Sequence, residues 1–314
     1  MTADAGPRRV CVCVPARDEA ERLPRLLAAL AAQDWPSPLP VVVALNNTSD
    51  GSRAIAERFA SEHEGALTLH LDEQTFPPGA AHAGTARRRA MDLGVAVLGE
   101  DDRAILLTTD ADARPPRDWV RENVKAIELG VDLVGGALTL DEDEAVPPLV
   151  RSRWEALSAY WRAVREIEDE IDPVAWDPWP RHGDHTGGSL ATTVAAYRAV
   201  GGIPPIPSGE DASFVMAARA LGFRLSHPPS VWTRVSARTD ARATGGMAAK
   251  MKELASSSSH AMAAPSLDQW RERARWRRVV RLAGGDARVA ALEAGLPPMT
   301  CDVVVVPAAI ETAA

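Results

Sequence analysis

Two aspartates separated by a single residue, Asp110 and Asp112, indicate a chemical function more clearly than any other residues of the sequence. They directly follow the apolar stretch 104–108, which is typical of a buried strand. In an open α/β sheet, ligands bind outside the carboxyl ends of the strands. Carboxylate oxygens suit Mg²⁺ or Mn²⁺, and Mg²⁺ usually takes one or two carboxylates together with substrate phosphates. The pair therefore predicts a site for a metal–diphosphate, and a helix N-cap with a solvated neighbour is the alternative.

A second pair of carboxylates, Glu210 and Asp211, opens a predicted helix that ends at Gly222. Acidic residues in a first helical turn gain about 0.3–1 kcal/mol from the helix dipole, which is one explanation for the pair. The functional interpretation is that one carboxylate acts as a general base toward an acceptor hydroxyl. Further along, Arg238 and Arg242 have the chemistry to bind a diphosphate, with a solvated basic loop as the alternative.

Strands and helices alternate through the first 140 residues, and these elements must position the acidic pairs. Apolar stretches at 10–15, 40–45 and 131–140 predict strands, and a leucine stripe predicts a helix over 23–30. Asp18 and Glu21 have the spacing of a capping box for that helix. The alternation predicts an α/β fold, with a doubly wound, mostly parallel sheet and helices on both faces.

Polar side chains follow four of the predicted strands, where they could hydrogen-bond a base, a ribose and a diphosphate. No Gly-x-Gly-x-x-Gly follows the first strand, which disfavours a nicotinamide or flavin enzyme. Taken singly, each polar residue could be a cap or a turn residue, as the sequence Asp50-Gly51 illustrates. Their recurrence at four strand ends favours a nucleotide site. The residues are Arg17, Asp18, Glu19, Asn46, Asn47, Asp50, Arg87, Asp110 and Asp112.

Aromatic and small residues in the second half of the chain are candidates for contacts to an acceptor. Trp176 and Trp179 lie in a proline-rich stretch, where they could stack on a sugar or pack under a loop. Gly187 and Gly188 permit close approach of a ligand to the backbone. Trp154 belongs to an aromatic stripe at helical spacing, which favours a place in the core over a carbohydrate platform.

The composition is that of a soluble globular protein of 314 residues, with 46% hydrophobic and 25% charged residues. A formal net charge of −8 argues against a general nucleic-acid binder. We find no apolar stretch long enough for a transmembrane segment and no signal-like segment at residues 1–7. The three cysteines lack metal-ligand spacing, and they predict reduced thiols and a cytoplasmic location.

Six motifs occur in a characteristic order: Val14-Pro-Ala-Arg-Asp-Glu19, Asn46-Asn-Thr-Ser-Asp-Gly51, Ala86-Arg87, Asp110-Ala-Asp112, Gly209-Glu-Asp211 and Ser236-Ala-Arg238. This ordered set resembles the family 2 glycosyltransferases, which have the GT-A fold, over roughly residues 8–246. The resemblance implies an inverting, hexosyltransferase-type enzyme that uses Mg²⁺ or Mn²⁺. Its partners would be a nucleotide-sugar donor and the hydroxyl of a saccharide, a lipid-linked or a small-molecule acceptor.

The resemblance also implies roles for individual residues. Asp112 would bind the metal, and Asp110 the metal or the ribose. Asp211 would be the general base, with Glu210 positioning the acceptor. The acceptor-binding candidates stay the same: Gly187, Gly188, Trp176 and Trp179. The donor-binding set would be Pro15, Arg17, Glu19, Asn46, Asp50, Arg87, Asp110, Arg238 and Arg242.

One departure from the family pattern concerns the nucleobase. The family commonly has two acidic residues where this chain has Leu45 and Asn46, and the second of them typically contacts the base. Asn46 can accept from a ring N–H, but its amide also donates, so the pattern leaves the nucleotide open. No histidine has an evident place as a third metal ligand, and the candidates His182, His185, His227 and His260 are more typical of structural or surface positions.

We predict three segments: a nucleotide-sugar-binding half over 1–140, an acceptor-binding and catalytic half over 141–250, and a linker with a helical extension over 251–314. A basic amphipathic helix over 266–283 predicts either peripheral contact with the inner membrane face or docking on the protein itself. The stretch 301–306 could add an edge strand. Two other functions stay open, a haloacid-dehalogenase-like phosphotransferase and a non-catalytic binder of nucleotide-sugars or carbohydrates.

Overall fold

A computed structural model of the chain describes residues 8–36, 38–239, 246–256 and 262–307. The strands are β1 (Val10–Ala16), β2 (Leu39–Asn46), β3 (Leu67–Gln74), β4 (Ile105–Thr108), β5 (Leu133–Gly135), β6 (Ala137–Leu140), β7 (Leu190–Thr193), β8 (Leu225–Ser226), β9 (Trp232–Val235), β10 (Ala263–Ala264) and β11 (Val303–Val304). The helices are α1 (Leu23–Ala31), α2 (Ser52–Glu62), α3 (Ala83–Leu98), α4 (Trp119–Glu128), α5 (Pro148–Ile171), α6 (Val194–Val200), α7 (Glu210–Ala220), α8 (Met247–Ala255) and α9 (Leu267–Glu293).

Seven strands form one sheet in the order β3-β2-β1-β4-β7-β5-β8. Strand β1 pairs in parallel with both β2 and β4, so that Val12 lies between Val41 and Leu107. Strand β7 is the exception, because it runs antiparallel to its neighbours β4 and β5. The predicted mostly parallel sheet is therefore confirmed, and the carboxyl ends of β1, β2 and β4 meet at one edge.

Both faces of β1 are buried, because helices cover both sides of the sheet. Val10, Val12 and Val14 pack in a core that includes residues of α1 and α4. Cys11 and Cys13 belong to the core on the opposite face, with residues of α3 and α7. Both thiols are buried and free, as the sequence predicts. This two-sided burial explains why the strand is apolar throughout rather than alternating.

The predicted capping box of α1 is wrong. The helix begins at Leu23 rather than directly after Asp18, which adopts a positive φ of 51°. The Asp18 carboxylate instead accepts a hydrogen bond of 2.7 Å from the backbone N–H of Ser49, in the loop after β2. A contact between two loops thus replaces the local cap, and the predicted leucine stripe is nevertheless buried as expected.

The single strand predicted over 131–140 is two strands in the structure. Strand β5 stays in the main sheet, whereas β6 pairs in parallel with β9 in a separate two-stranded sheet. The change of direction occurs at Gly135 and Gly136, where the chain is tightly packed. A Cβ at Gly136 would lie 2.0 Å from the Ser189 hydroxyl oxygen. The small sheet matters for the site because Arg238 follows β9.

Helix α9 forms the predicted C-terminal extension and packs on α5 and α7. Arg277 of α9 binds Glu168 of α5. Asp286 of α9 binds Arg219 of α7. Val279 and Leu282 stay exposed on the outer side of the helix. Docking on the protein is thus observed, while membrane contact through 266–283 stays a prediction. The domain boundaries at 140 and 250 also stay predictions.

The C-terminal stretch forms the predicted additional strand, since β11 pairs antiparallel with β10. Among the described residues, none of the helices combines the length and the apolar character that a membrane span requires.

Candidate active site

A cleft of about 470 Å³ lies at the edge of the sheet where β1, β2 and β4 end. The beginnings of α3 and α7, the segment 186–188 and the residues after β9 complete its walls. The position agrees with the rule that ligands of open α/β sheets bind at the carboxyl ends of strands. The sequence-predicted residues that line it are Pro15, Arg17, Glu19, Asn46, Arg87, Asp110, Asp112, Gly187, Gly188, Glu210, Asp211 and Arg238.

Five described candidates from the sequence do not line this cleft: Asp18, Asn47, Asp50, Trp176 and Trp179. The Asp50 carboxylate accepts hydrogen bonds from the Ala20 N–H and from Ser52, so it connects the loops after β1 and β2. Trp176 lines a different cavity, and Trp179 is 39% exposed and lines neither. Arg242 lies outside the described residues.

Arg87 connects the two acidic pairs. Its guanidinium is buried and donates from Nη2 to the Asp110 carboxylate at 2.7 Å and from Nε to Glu210 at 3.0 Å. Nη1 donates to the Thr108 hydroxyl and to the Gly187 carbonyl, both at 2.9 Å. Burial alone would lower the pKa of Arg87, but the charges of Asp110 and Glu210 outweigh it and raise the pKa. Arg87 is therefore a permanent cation between the end of β4 and the start of α7.

Glycine is required at position 187 by this arrangement. A Cβ there would lie 2.3 Å from the central carbon of the Arg87 guanidinium. The same residue also contacts the second acidic pair, because its N–H donates to the Asp211 carboxylate at 2.6 Å. The backbone of Gly187 thus holds Arg87 through its carbonyl and Asp211 through its amide.

Asp112 forms an ion pair with Arg238. Arg238 Nε lies 3.1 Å from Asp112 Oδ2, and its two Nη atoms lie 2.9 and 3.2 Å from the carboxylate oxygens of Glu19. The pKa of Asp112 is raised to about 6, because burial and the charges of Asp110 and Glu19 outweigh the lowering effect of Arg238. Asp112 and Glu19 thus share the positive charge of Arg238.

Glu210 and Asp211 have different environments although they are adjacent at the start of α7. Glu210 is buried and bonded to Arg87. Asp211 is half-buried, and its two oxygens accept from the N–H groups of Gly187 and Ala212. Since Asp211 forms no ion pair within the described part of the chain and lines the cleft, it is the more suitable of the two to accept a proton from a ligand.

Asn46 presents a hydrogen-bond acceptor at the end of β2. Its Nδ2 donates to the His82 carbonyl at 2.9 Å, which fixes the orientation of the amide. Its Oδ1 is buried and, among the described residues, accepts no hydrogen bond. Buried polar atoms normally have a partner. The acceptor oxygen of Asn46 therefore has no partner among the described residues, while one of the two N–H donors of its amide is used by the His82 carbonyl.

The acidic residues of the cleft fit a divalent cation only together with a ligand. Within the described ranges, no three His, Cys, Asp or Glu side chains are grouped to hold a metal ion. Asp110 and Asp112 nevertheless offer the one or two carboxylates that Mg²⁺ uses when substrate phosphates complete its coordination. His182, His185 and His227 are not among the residues that line this cleft, and His260 lies outside the described residues.

The cleft also includes large or charged residues that are not binding candidates from the sequence, among them His82, Trp154 and Lys250. Trp154 packs against a small core formed by α5 and α8, as expected, and it also lines the cleft. His82 caps α3, with its ring accepting from the Thr85 N–H. Its position directly before a helix is the signal that could have identified it, because the start of α3 faces the strand ends.

Comparison with solved structures assigns the architecture to the GT-A fold. Staphylococcus aureus TarS 1–349 in complex with UDP has a TM-score of 0.51 and 15% identity over 87% of this chain and 71% of that one. The mannosyltransferase PcManGT from Pyrobaculum calidifontis, in complex with GDP-Man and Mn²⁺, has a TM-score of 0.51 and 21% identity over 93% and 80% of the two chains. At these identities the likeness concerns the fold.

The family follows from the sequence comparison. A model described as glycosyl transferase family 2 matches residues 11–172, more than half of the chain, and the protein belongs to this family. The glycosyltransferase AglE of Haloferax volcanii is 32% identical over 129 residues, which are 40% of this chain and 38% of that protein. The predicted family is thereby confirmed, and the phosphotransferase alternative has no support in these comparisons.

Proposed function

We propose that the protein transfers a sugar from a nucleotide-sugar donor to an acceptor hydroxyl with inversion at the anomeric carbon. The observation that carries this proposal is the convergence of Asp110 and Asp112 with Glu210 and Asp211 in one cleft, joined by Arg87. A donor site alone would leave the second acidic pair without a function. Family membership supports the same chemistry.

Each acidic residue has a distinct role in the proposed reaction. Asp211 removes the proton from the acceptor oxygen as that oxygen attacks the anomeric carbon from the side opposite the nucleotide. Glu210, neutralised by Arg87, holds the start of α7 in place. Arg238 stabilises the negative charge that develops on the departing diphosphate. Gly187 orients Asp211 through its N–H.

Asp112, assisted by Asp110, would hold Mg²⁺ or Mn²⁺ together with the diphosphate. When bound, the cation supplies Lewis-acid neutralisation of the leaving group. Arg238 Nε lies 3.1 Å from one carboxylate oxygen of Asp112. Arg238 and the cation would therefore compete for the negative charge of Asp112.

The proposal is tested with a panel of UDP-, GDP-, CDP- and ADP-sugars, with and without Mn²⁺. We expect at least one donor to raise the melting temperature in a metal-dependent way, because ligand binding to the folded state stabilises it. Release of the nucleoside diphosphate in the presence of an acceptor panel then separates an enzyme from a binder. Metal-dependent donor binding without any release across a broad panel would favour the non-catalytic binder.

We predict that Asn46 selects nucleotides with a ring N–H. Uracil and guanine carry such a donor, whereas cytosine and adenine have a ring nitrogen acceptor at the corresponding edge. One hydrogen bond to a buried acceptor contributes about 0.5–1.5 kcal/mol, so UDP or GDP is expected to bind up to about tenfold more tightly than CDP or ADP. Asn46→Leu should abolish this preference in calorimetric titrations. Equal discrimination by the variant would show that another group contacts the base.

We predict that Arg238 competes with the divalent cation. In Arg238→Met, Mn²⁺ without nucleotide should bind about tenfold or more tightly than in the unmodified protein, because the carboxylates of Asp112 and Glu19 lose their contacts to the Arg238 guanidinium. Nucleoside diphosphate in the presence of Mn²⁺ should bind about 10–100-fold more weakly, since a charge-assisted contact contributes about 1.5–3 kcal/mol. Calorimetry and the electron paramagnetic resonance signal of free Mn²⁺ measure both effects.

Arg234→Met is the matched control, because Arg234 lies on β9 but binds the exposed carboxylate of Glu142. In Arg234→Met, neither the affinity for Mn²⁺ nor that for the nucleoside diphosphate should change, because exposed ion pairs contribute little. Asp112→Ala should remove Mn²⁺ binding in both backgrounds. Unchanged Mn²⁺ affinity in Arg238→Met would contradict competition at Asp112.

A further inference from the structure

A second cavity, of about 540 Å³, lies on the other side of the segment 183–188 from the cleft. Gly183 and His185 line this cavity, whereas Thr186 and Gly187 line the cleft, and none of the described residues lines both. The other walls come from α5, α7 and α9 and from the loop before β7. The proposed sugar transfer uses none of these residues.

Two arginines in the cavity wall use only part of their hydrogen-bonding capacity. Arg165 forms an ion pair with Glu168, with 2.7 Å between Nη1 and Oε2, and Arg181 donates from Nη1 to the carbonyl and carboxylate of Asp177. Among the described residues, no acceptor contacts the remaining nitrogens of either guanidinium, and both Nε atoms are buried. An arginine has five N–H donors, so each leaves several without a protein partner.

Arg165 shares its carboxylate partner Glu168 with a second arginine, Arg277. Burial lowers the pKa of Arg165, and the neighbouring cations Arg277 and Arg181 lower it further against the effect of Glu168. Glu168 cannot compensate Arg165 alone, because it also accepts from Arg277 at 2.5 Å. Asp177 is likewise shared between Arg181 and His227. Glu168 and Asp177, which bind these two arginines, thus each also bind a second basic side chain.

Aromatic faces border the same guanidinium. The central carbon of Arg165 lies 5.9 Å from the ring centres of both Trp161 and Trp270, and Trp176 also lines the cavity. Flat apolar faces next to hydrogen-bond donors suit a molecule with C–H surfaces and oxygen substituents. His185 adds a polar group, and burial lowers its pKa to about 4, so its ring is neutral at pH 7.

We propose that this second cavity binds a sugar that carries a phosphate or carboxylate group, with the oxyanion on Arg165 and Arg181. The oxyanion supplies acceptor atoms for guanidinium donors of Arg165 and Arg181 that have no partner among the described residues. The sugar ring packs against the tryptophan faces. The site is separate from the donor cleft, so the proposal does not depend on the transferase reaction.

The test is a titration of the full chain without nucleotide or metal, followed by tryptophan fluorescence and calorimetry. Glucose 6-phosphate and glucuronate provide the two oxyanions, glucose is the uncharged counterpart, and inorganic phosphate is the anion without a sugar. We expect one or both sugar anions to bind, at least tenfold more tightly than glucose or inorganic phosphate. Comparison of glucose 6-phosphate with glucuronate shows whether the site prefers a phosphate or a carboxylate group.

Arg165→Met and Arg181→Met should each weaken that binding at least tenfold. Arg162→Met, which removes an exposed arginine of the same helix α5, should leave it unchanged. Urea unfolding of every variant establishes that loss of binding is not loss of folding. Absence of binding by both sugar anions, equal binding of glucose, or undiminished affinity in folded Arg165→Met would each overturn the proposal.

Discussion

Asp211→Asn is expected to lower the turnover of sugar transfer by about 10²–10⁴-fold while nucleotide-sugar binding is retained. This range is the usual contribution of a positioned general base. The asparagine keeps an oxygen that can accept from the Gly187 N–H, which donates to Asp211 at 2.6 Å, so the local backbone should be preserved. The amide cannot take up the acceptor proton, and the loss should therefore appear in kcat rather than in donor affinity.

The measurement compares steady-state release of the nucleoside diphosphate with calorimetric binding of the donor. Asp268→Asn is a suitable control, because Asp268 is also an acidic residue in a first helical turn but is exposed on α9 and paired with Arg271. It should have unchanged turnover. A donor affinity that falls in parallel with turnover in Asp211→Asn would assign Asp211 to donor binding, and unchanged turnover would eliminate it as the base.

The sequence predicts the sheet edge and most residues of the cleft because parallel strands bring their carboxyl ends together. Apolar stretches before Asp110 and before Asn46 identify β4 and β2, and pairing with β1 then places Glu19 nearby. This inference needs only strand order and direction. It fails for Asp50, whose carboxylate lies in a loop and bonds to Ala20 and Ser52.

The role of Arg87 is harder to predict because its partners are far away in the sequence. Glu210 is 123 positions along the chain, and no local pattern relates the two residues. A signal is nevertheless present: Gly84, Arg87, Met91 and Gly94 recur at helical spacing, and all are buried on one side of α3. An arginine in an apolar helical stripe has to find a buried acidic partner. Arg88 and Arg89, next to it, are outside this stripe.

The pairing of Asp112 with Arg238 also escapes sequence analysis. The family resemblance assigns a cation to Asp112 and a diphosphate to Arg238, and both assignments concern the loaded site. In the structure the same two charges compensate each other, in a contact of 3.1 Å. Sequence motifs therefore indicate the roles toward a ligand, whereas the pairing of these groups with each other is visible only in three dimensions.

Arg87→Met is expected to lower the free energy of unfolding by about 3–5 kcal/mol and to abolish transfer. Removing one partner of a buried ion pair leaves the other charge without compensation, and Glu210 has only 7% of its side chain exposed. Asp110 and the Gly187 carbonyl lose their donor in the same step. Urea unfolding measures the loss. Arg89→Met is the control, because Arg89 is 42% exposed in its pair with Asp72 and should cost about 1 kcal/mol or less.

A double variant separates the buried charge from simple loss of packing. If the uncompensated Glu210 carboxylate dominates the cost, Arg87→Met combined with Glu210→Gln should be more stable than Arg87→Met alone, by about 1–2 kcal/mol. Glu210→Gln alone should then be destabilising, because it removes the charge that Arg87 requires. Additive losses in the two single variants would contradict this coupling. Activity should stay absent from the double variant, since Asp110 and Gly187 still lack the guanidinium that holds them beside Asp211.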